Sequence, residues 1–258
     1  MMLLKDKVCI IAGVSSLRGI GYATAALFAE HGARIVAVNL AMNDAIARDI
    51  NEALSKQLGF QPEILIMPCD ITNREDCSQV VSAAIDRFGR IDCLINCVGI
   101  TESQRFLDIT EDDFTNMISV NLQGAFNICQ SVLAFIAKQG GGAIVNVASV
   151  AAQRGGGLVG GAHYAASKGG MMSLTRTIAR EFGPQGVRAN IVCPSMTETG
   201  MLDGNMSAER FEEIVQSIPL RRAGRAVDVA GACLFLASDL AAYINGATID
   251  VNGGSHIH

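Results

Sequence analysis

Tryptophan is absent from this 258-residue chain, prolines number five and charged residues make up only 17% of it. Each scarcity excludes something. With a net charge of −5 and no block of lysine and arginine, the chain has no electrostatic footprint for a nucleic-acid backbone. No run of apolar residues approaches the roughly 18 that read as a bilayer span, so no membrane partner is expected. The opening MMLLKDKVCIIAG lacks the long apolar region and small-residue cleavage site of a secretory leader, which points to the cytoplasm. No C-x-x-C pair occurs among the eight cysteines; the nearest are Cys93 with Cys97, then Cys69 with Cys77. Most lie in apolar stretches such as KVCIIAG and GACLFLA, where cysteine behaves as a small hydrophobe. Free buried thiols are expected, and no metal site.

What is present is rhythm. Half of the residues are hydrophobic, and the 27 glycines are spread along the chain rather than gathered into a low-complexity tract. Short β-branched runs at 7–12, 33–38, 63–67, 91–96, 143–148, 187–193 and 247–251 alternate with amphipathic stretches at 19–31, 43–58, 73–88, 110–138, 162–183 and 227–237. Strands such as RIVAVN and AIVNVAS are almost continuously apolar, which implies burial on both faces. The alternation predicts an α/β fold: one doubly wound, Rossmann-type domain over residues 1–258, with a parallel seven-stranded sheet and helices on both faces. TEDD, Thr110 to Asp113, reads as a capping box opening a helix. Residues 195–220 break the rhythm. This polar, methionine-bearing insertion carries a short helix at about 208–217 with Ser207 as its cap, and reads as a substrate wall or lid.

The turn after the first strand, GVSSLRGIGYATA, has the makings of an anion site. Glycines let the backbone approach a pyrophosphate, and the helix start offers unpaired N–H groups. Gly13, Gly19, Ile20 and Gly21 form its frame, with Ser15 and Ser16 as further donors. A dinucleotide fold that selects NAD ends its second strand with an acid that bonds the adenine ribose. Here Asn39 stands at that end, and Arg18 offers a cation to a 2′-phosphate, although no basic residue follows Asn39 within NLAMND. The balance favours NADP over NAD.

Chemistry gathers in HYAASKGGMMSLTRTIAREFG. Tyr164 and Lys168, four apart, share one helix face. An ammonium beside a phenol favours the phenolate, so the tyrosine is expected to titrate below its usual value of about 10 and to serve as a general acid–base.

In these segments the chain resembles the short-chain dehydrogenase/reductase family, nearly from end to end. YAASK is similar to the family's active-site motif and implies Tyr164 as acid–base and Lys168 as its partner and ribose ligand. NVASVAA places Ser149 where the family's serine orients the substrate oxygen. SVNLQGAF supplies Asn121, which the resemblance implies helps to hold a relay water. CDIT is similar to the adenine contact and gives Asp70 and Ile71. NCVG stands where the family usually reads N-N-A-G, retaining Asn96 and Gly99. VCPSMTET resembles the segment bracketing the nicotinamide, with Pro194 and Thr199 retained and Ser195 replacing glycine. The implied activity is NAD(P)-dependent interconversion of a secondary alcohol and a ketone, with a small-molecule substrate, and the implied assembly is a homotetramer. The ending is similar to 3-oxoacyl-carrier-protein reductases and to sugar and polyol dehydrogenases alike. A catalytically silent NAD(P)-binding sensor or scaffold is the alternative.

Three departures stand out. The glycine turn is G-x5-G-x-G, two residues longer than the commoner pattern. The enoyl-reductase branch also has a widened turn, but spaces its tyrosine and lysine further apart than here. The Ser149–Tyr164 interval is longer by two, with the excess in QRGGGLVGGAH, where glycines let the chain bulge. NCVG and CPS are altered. Gln104, Gln153, Arg154, His163 and Glu198 are candidates for the pocket mouth and a polar substrate. Met196, Met201 and Met206 suit either an acyl chain or simple packing.

Overall fold

The computed structural model describes residues 2–156, 160–200 and 207–258. The strands are β1 (Val8–Ala12), β2 (Arg34–Asn39), β3 (Ile64–Pro68), β4 (Cys93–Asn96), β5 (Gly142–Val147), β6 (Val187–Pro194), β7 (Thr197–Glu198), β8 (Gly224–Arg225) and β9 (Thr248–Val251). Seven of them form one sheet in the order β3-β2-β1-β4-β5-β6-β9, and β7 pairs with β8 in a small second sheet. Every pairing is parallel. The helices are α1 (Ile20–Glu30), α2 (Asp44–Leu58), α3 (Arg74–Phe88), α4 (Glu111–Ile118), α5 (Gly124–Gln139), α6 (Ala151–Arg154), α7 (Ala162–Phe182), α8 (Ala208–Ser217) and α9 (Ala226–Ala237).

Strand periodicity explains the two layers of helices. All five residues of β1 are buried. Cys9 and Ile11 point into one core with α1 and α9, while Val8, Ile10 and Ala12 point into another with α3 and α5. This is the doubly wound parallel sheet that the apolar strands predict. From β1 the chain winds out to β3, returns to β4 beside β1, and winds out the other way to β9. A crevice therefore opens at the carboxyl ends of β1 and β4.

Local chemistry sets the helix ends. α2 and α3 open on Asn43 and Asn73, whose side chains accept backbone N–H groups, and close on the left-handed Gly59 and Gly89. α4 has the expected capping box: Thr110 Oγ1 accepts from Asp113 N at 3.2 Å, and Asp113 Oδ2 from Thr110 N at 3.1 Å. Between α4 and α5 the chain takes a π-helical turn, Ser119–Gln123, in which Gly124 N–H bonds Ser119 O. The resulting 29-residue helix Glu111–Gln139 is long and apolar enough, by length and composition, to cross a membrane. It is not an uninterrupted apolar run, since Asn121, Gln123, Asn127 and Gln130 fall within it. Half of its apolar window is nevertheless buried in the fold, and Ile128, Val132 and Ile136 belong to the core beneath the sheet. The eight cysteines are free thiols, all buried except the half-buried Cys97.

Candidate active site

A cavity of about 800 Å³ lies along the strand ends. Its floor at one end is the turn after β1. Gly13 has φ +95°, and a Cβ there would lie 2.9 Å from the Cys97 carbonyl carbon; a Cβ on Gly21 would lie 2.4 Å from Gly13 O. Only glycines let the strand end and the helix start meet this closely. Gly19 caps α1 without a side-chain hydrogen bond, and the first turn holds no acid. Gly19, Ile20 and Gly21 line the cavity, so the uncompensated positive end of α1 faces it. That arrangement fits the diphosphate of a dinucleotide. Ser15 and Ser16 also line the cavity; Arg18 is exposed and lies outside the lining.

Asn39, Asp70 and Ile71 line the next stretch. Asn39 Oδ1 accepts from Ala41 N at 3.0 Å, which leaves its amide nitrogen to offer a ligand. Asp70 Oδ1 accepts from Thr72 N at 2.9 Å and Thr72 Oγ1 at 2.7 Å, fixing the loop after β3. Gly99, Pro194 and Thr199 line the cavity too. Asn96 does not: it is fully buried behind the wall, donating to Asn146 Oδ1 at 3.1 Å and accepting from Val98 N at 3.2 Å. It shapes the 97–99 turn from behind.

At the other end stand Ser149, Tyr164 and Lys168. Ser149 follows β5, and its Oγ accepts from Ala151 N at 3.1 Å, opening α6. The same side chain favours the ionised form of the Tyr164 phenol. Lys168 is 4% exposed, and its Nζ donates to Val147 O at 3.0 Å and Val98 O at 3.5 Å. Burial pushes its ammonium down to about 8. Tyr164 departs from the sequence expectation. Burial pushes the phenol above its ordinary value, Ser149 pulls it down by less, and no depression by Lys168 appears. The physical reason is direction: the ammonium is spent on two backbone carbonyls, while the phenol is desolvated. The glycine-rich bulge packs directly on this tyrosine, since a Cβ on Gly160 would fall 2.3 Å from the ring. Residues 157–159 lie outside the described residues.

Asn121 sits on the π turn beside Lys168. A Cβ on Gly99 would meet Lys168 Nζ at 2.9 Å and Asn121 Oδ1 at 3.3 Å. Asn121 itself is fully buried and outside the cavity lining. It accepts from Ile100 N at 2.9 Å and donates to Ile100 O and Ser167 Oγ, each at 3.0 Å. Its side chain joins the loop after β4 to α7. Of the mouth candidates, Arg154 lines the cavity, whereas Gln104, Gln153, His163 and Glu198 do not. Gln104 bonds Asp113, Gln153 bonds Asp250, and His163 is 1% exposed within the first turn of α7. Met196 lines the cavity; Met201 and Met206 lie outside the described residues.

The sequence reading did not name Ile214, Ser217 and Ile218, which bring α8 and the turn after it to the cavity wall. Phe211, Ile214, Val215 and Ile218 recur at helical spacing and pack with Met196 and Ala223 in a small core of their own. That periodicity was the available signal. Ser255, beyond β9, also lines the cavity and carries no local signal.

Among the described residues no group of three or more histidine, cysteine or acidic side chains is arranged to hold a metal. A family model described as Enoyl-(Acyl carrier protein) reductase matches residues 13–256. An uncharacterized short-chain type dehydrogenase/reductase of Sinorhizobium fredii is 42% identical over 262 residues, covering all of both chains. The 3-oxoacyl-[acyl-carrier-protein] reductase of Thermotoga maritima is 36% identical, over 98% of this chain and 99% of that protein. Among solved structures, levodione reductase superposes with a TM-score of 0.91 at 32% identity, covering 97% of this chain and 98% of that one.

Proposed function

Because the chain belongs to the short-chain dehydrogenase/reductase family, a family of oxidoreductases, we propose that its cavity interconverts a secondary alcohol and a ketone with a nicotinamide dinucleotide. The observation that carries this reading is that Ser149, Tyr164 and Lys168, the last two one turn apart on α7, line one cavity with the glycine turn. We read residues 1–258 as one dinucleotide-binding domain, with the 195–220 segment as its substrate wall.

When bound, the nicotinamide gives or takes the hydride. The glycine turn, Asn39, Asp70, Ile71, Gly99, Pro194 and Thr199 would hold the dinucleotide. The uncapped start of α1 favours its diphosphate, and the absence of an acid at the end of β2 favours NADP over NAD. Ser149 Oγ accepts from Ala151 N, and its O–H would turn to donate to a carbonyl oxygen as negative charge develops. Tyr164 donates to the same oxygen. Its raised pKa keeps it protonated at neutral pH, the form needed to reduce a ketone. Lys168 brings a positive charge and proton donor to the floor. Asn121 acts as a positioning residue: Ser167 links it to Tyr164 O by a 2.8 Å hydrogen bond. The four-residue Tyr–Lys spacing supports carbonyl rather than enoyl reduction. Exposed Phe106, Leu107, Phe114 and Phe126, on and around α4 and α5, support self-association as a homotetramer.

The test is Tyr164→Phe, assayed by nicotinamide absorbance against ketones, polyols and 3-oxoacyl thioesters with NADH and NADPH in turn. Turnover should fall by roughly a hundredfold to ten-thousandfold while dinucleotide affinity holds. Undiminished turnover would overturn the assignment.

A further inference from the structure

We infer that the substrate of this site carries an anionic group, a carboxylate or a phosphate, received by Arg154 at the cavity mouth; the inference rests on the alcohol–ketone reading above. Among the described residues three charged side chains line the cavity: Asp70, Arg154 and Lys168. Asp70 is tied to Thr72 at the end of β3, and Lys168 is buried against backbone carbonyls. Arg154 alone of the three is exposed. Among the described residues it makes no ion pair.

Its position is set by the catalytic end itself. α6 begins on Ser149, through Ala151 N to Ser149 Oγ at 3.1 Å, and continues through Arg154 N to Val150 O at 3.1 Å and Gly155 N to Ala151 O at 3.0 Å. The backbone of Arg154 is therefore held about one helical turn from the group that polarises the carbonyl. The other side chains placed around the substrate end include Met196, Ile214 and Ile218, which are apolar, and among the described residues no carboxylate lines that end. A cation beside an apolar wall discriminates by charge on one side and by shape on the other. An anion there gains a charge-assisted and, for a planar carboxylate or a phosphate, two-pronged contact that a neutral analogue lacks. This selects oxo or hydroxy acids, or thioesters carried on a phosphate-bearing arm, over simple sugars and polyols.

Two matched pairs test this, with wild type, Arg154→Gln and Arg154→Lys. The first is a 3-oxo carboxylate against its methyl ester; the second is a 3-oxoacyl thioester of phosphopantetheine against that of N-acetylcysteamine. Wild type should prefer the charged member of one pair, and which pair responds tells carboxylate from phosphate. Arg154→Gln should lower kcat/KM for that member by roughly tenfold to a hundredfold, mainly through KM, and leave its neutral counterpart nearly unchanged. Arg154→Lys, a point charge without the fork, should fall between. Added salt should weaken the preference in wild type and not in Arg154→Gln. Equal use of charged and neutral members by wild type, or a preference that survives Arg154→Gln, would overturn the inference and leave the redox reading standing. No turnover of any pair member by wild type would count against both.

Discussion

The two ends of the cavity are built from different materials. The cofactor end is made of backbone: an uncapped helix start, a left-handed Gly13 and a contact between Gly13 and Gly21 that no side chain could share. The catalytic end is made of side chains, each fixed by others: Ser149 by Ala151, Lys168 by Val147 and Val98, and Tyr164 through Ser167 and Asn121. A backbone site depends on where the chain runs. The proposed dinucleotide role asks little of the side chains in the longer turn, at Cys97 or at Ser195. A side-chain site depends on each atom of its members, and there the YAASK spacing is unaltered.

This contrast is open to direct attack. The largest effect is expected at the catalytic end: Ser149→Ala should lower kcat by roughly a hundredfold to a thousandfold, as removal of one donor to a developing oxyanion does. Steady-state kinetics beside a dinucleotide titration checks it; a matching loss of dinucleotide affinity would blur the division between the two ends. Next comes Gly21→Ala. With its Cβ 2.4 Å from Gly13 O, the backbone must shift. A stability loss of about 1–3 kcal/mol in denaturant unfolding should accompany weakened dinucleotide binding.

The smallest effect is on the pH dependence of stability. Folded Lys168 titrates at about 8. An unfolded lysine does so near 10.4. Below pH 8 both states hold the proton and the burial cost is present in full. From about 8 to about 10.4 the unfolded chain keeps a proton that the folded chain has lost, so this lysine's contribution to stability climbs with pH. Buried thiols such as Cys129 and Cys193, each pushed up to about 12, pull the other way. The measurement is therefore a difference. Wild type minus Lys168→Met should rise across that window by at most about 1.4 kcal/mol per pH unit. A flat difference would mean that Lys168 is hydrated.

Much of this was legible beforehand. Continuous apolar strands announced a sheet buried on both faces, and Thr110 announced its capping box, because both depend on residues near in sequence. Tyr164 and Lys168 were legible for the same reason: four positions on a helix fix a shared face. Their electrostatics were not. The expected depression of the tyrosine assumed an ammonium aimed at it, whereas the surroundings direct that ammonium to Val147 and Val98. Asn96 looked like a cofactor contact, but its side chain turns behind the wall.

The sequence by itself determined the alternation of elements, the glycine turn and the spacing of the catalytic set, since each follows from backbone preference and side-chain period over a few residues. Tertiary structure alone decided which polar side chains reach the cavity. It left Arg154 at the mouth, drew Gln104, Gln153 and His163 aside, and brought α8 and Ser255 to the wall. Those outcomes depend on how segments far apart in the chain pack and compete for hydrogen bonds, which no local pattern encodes.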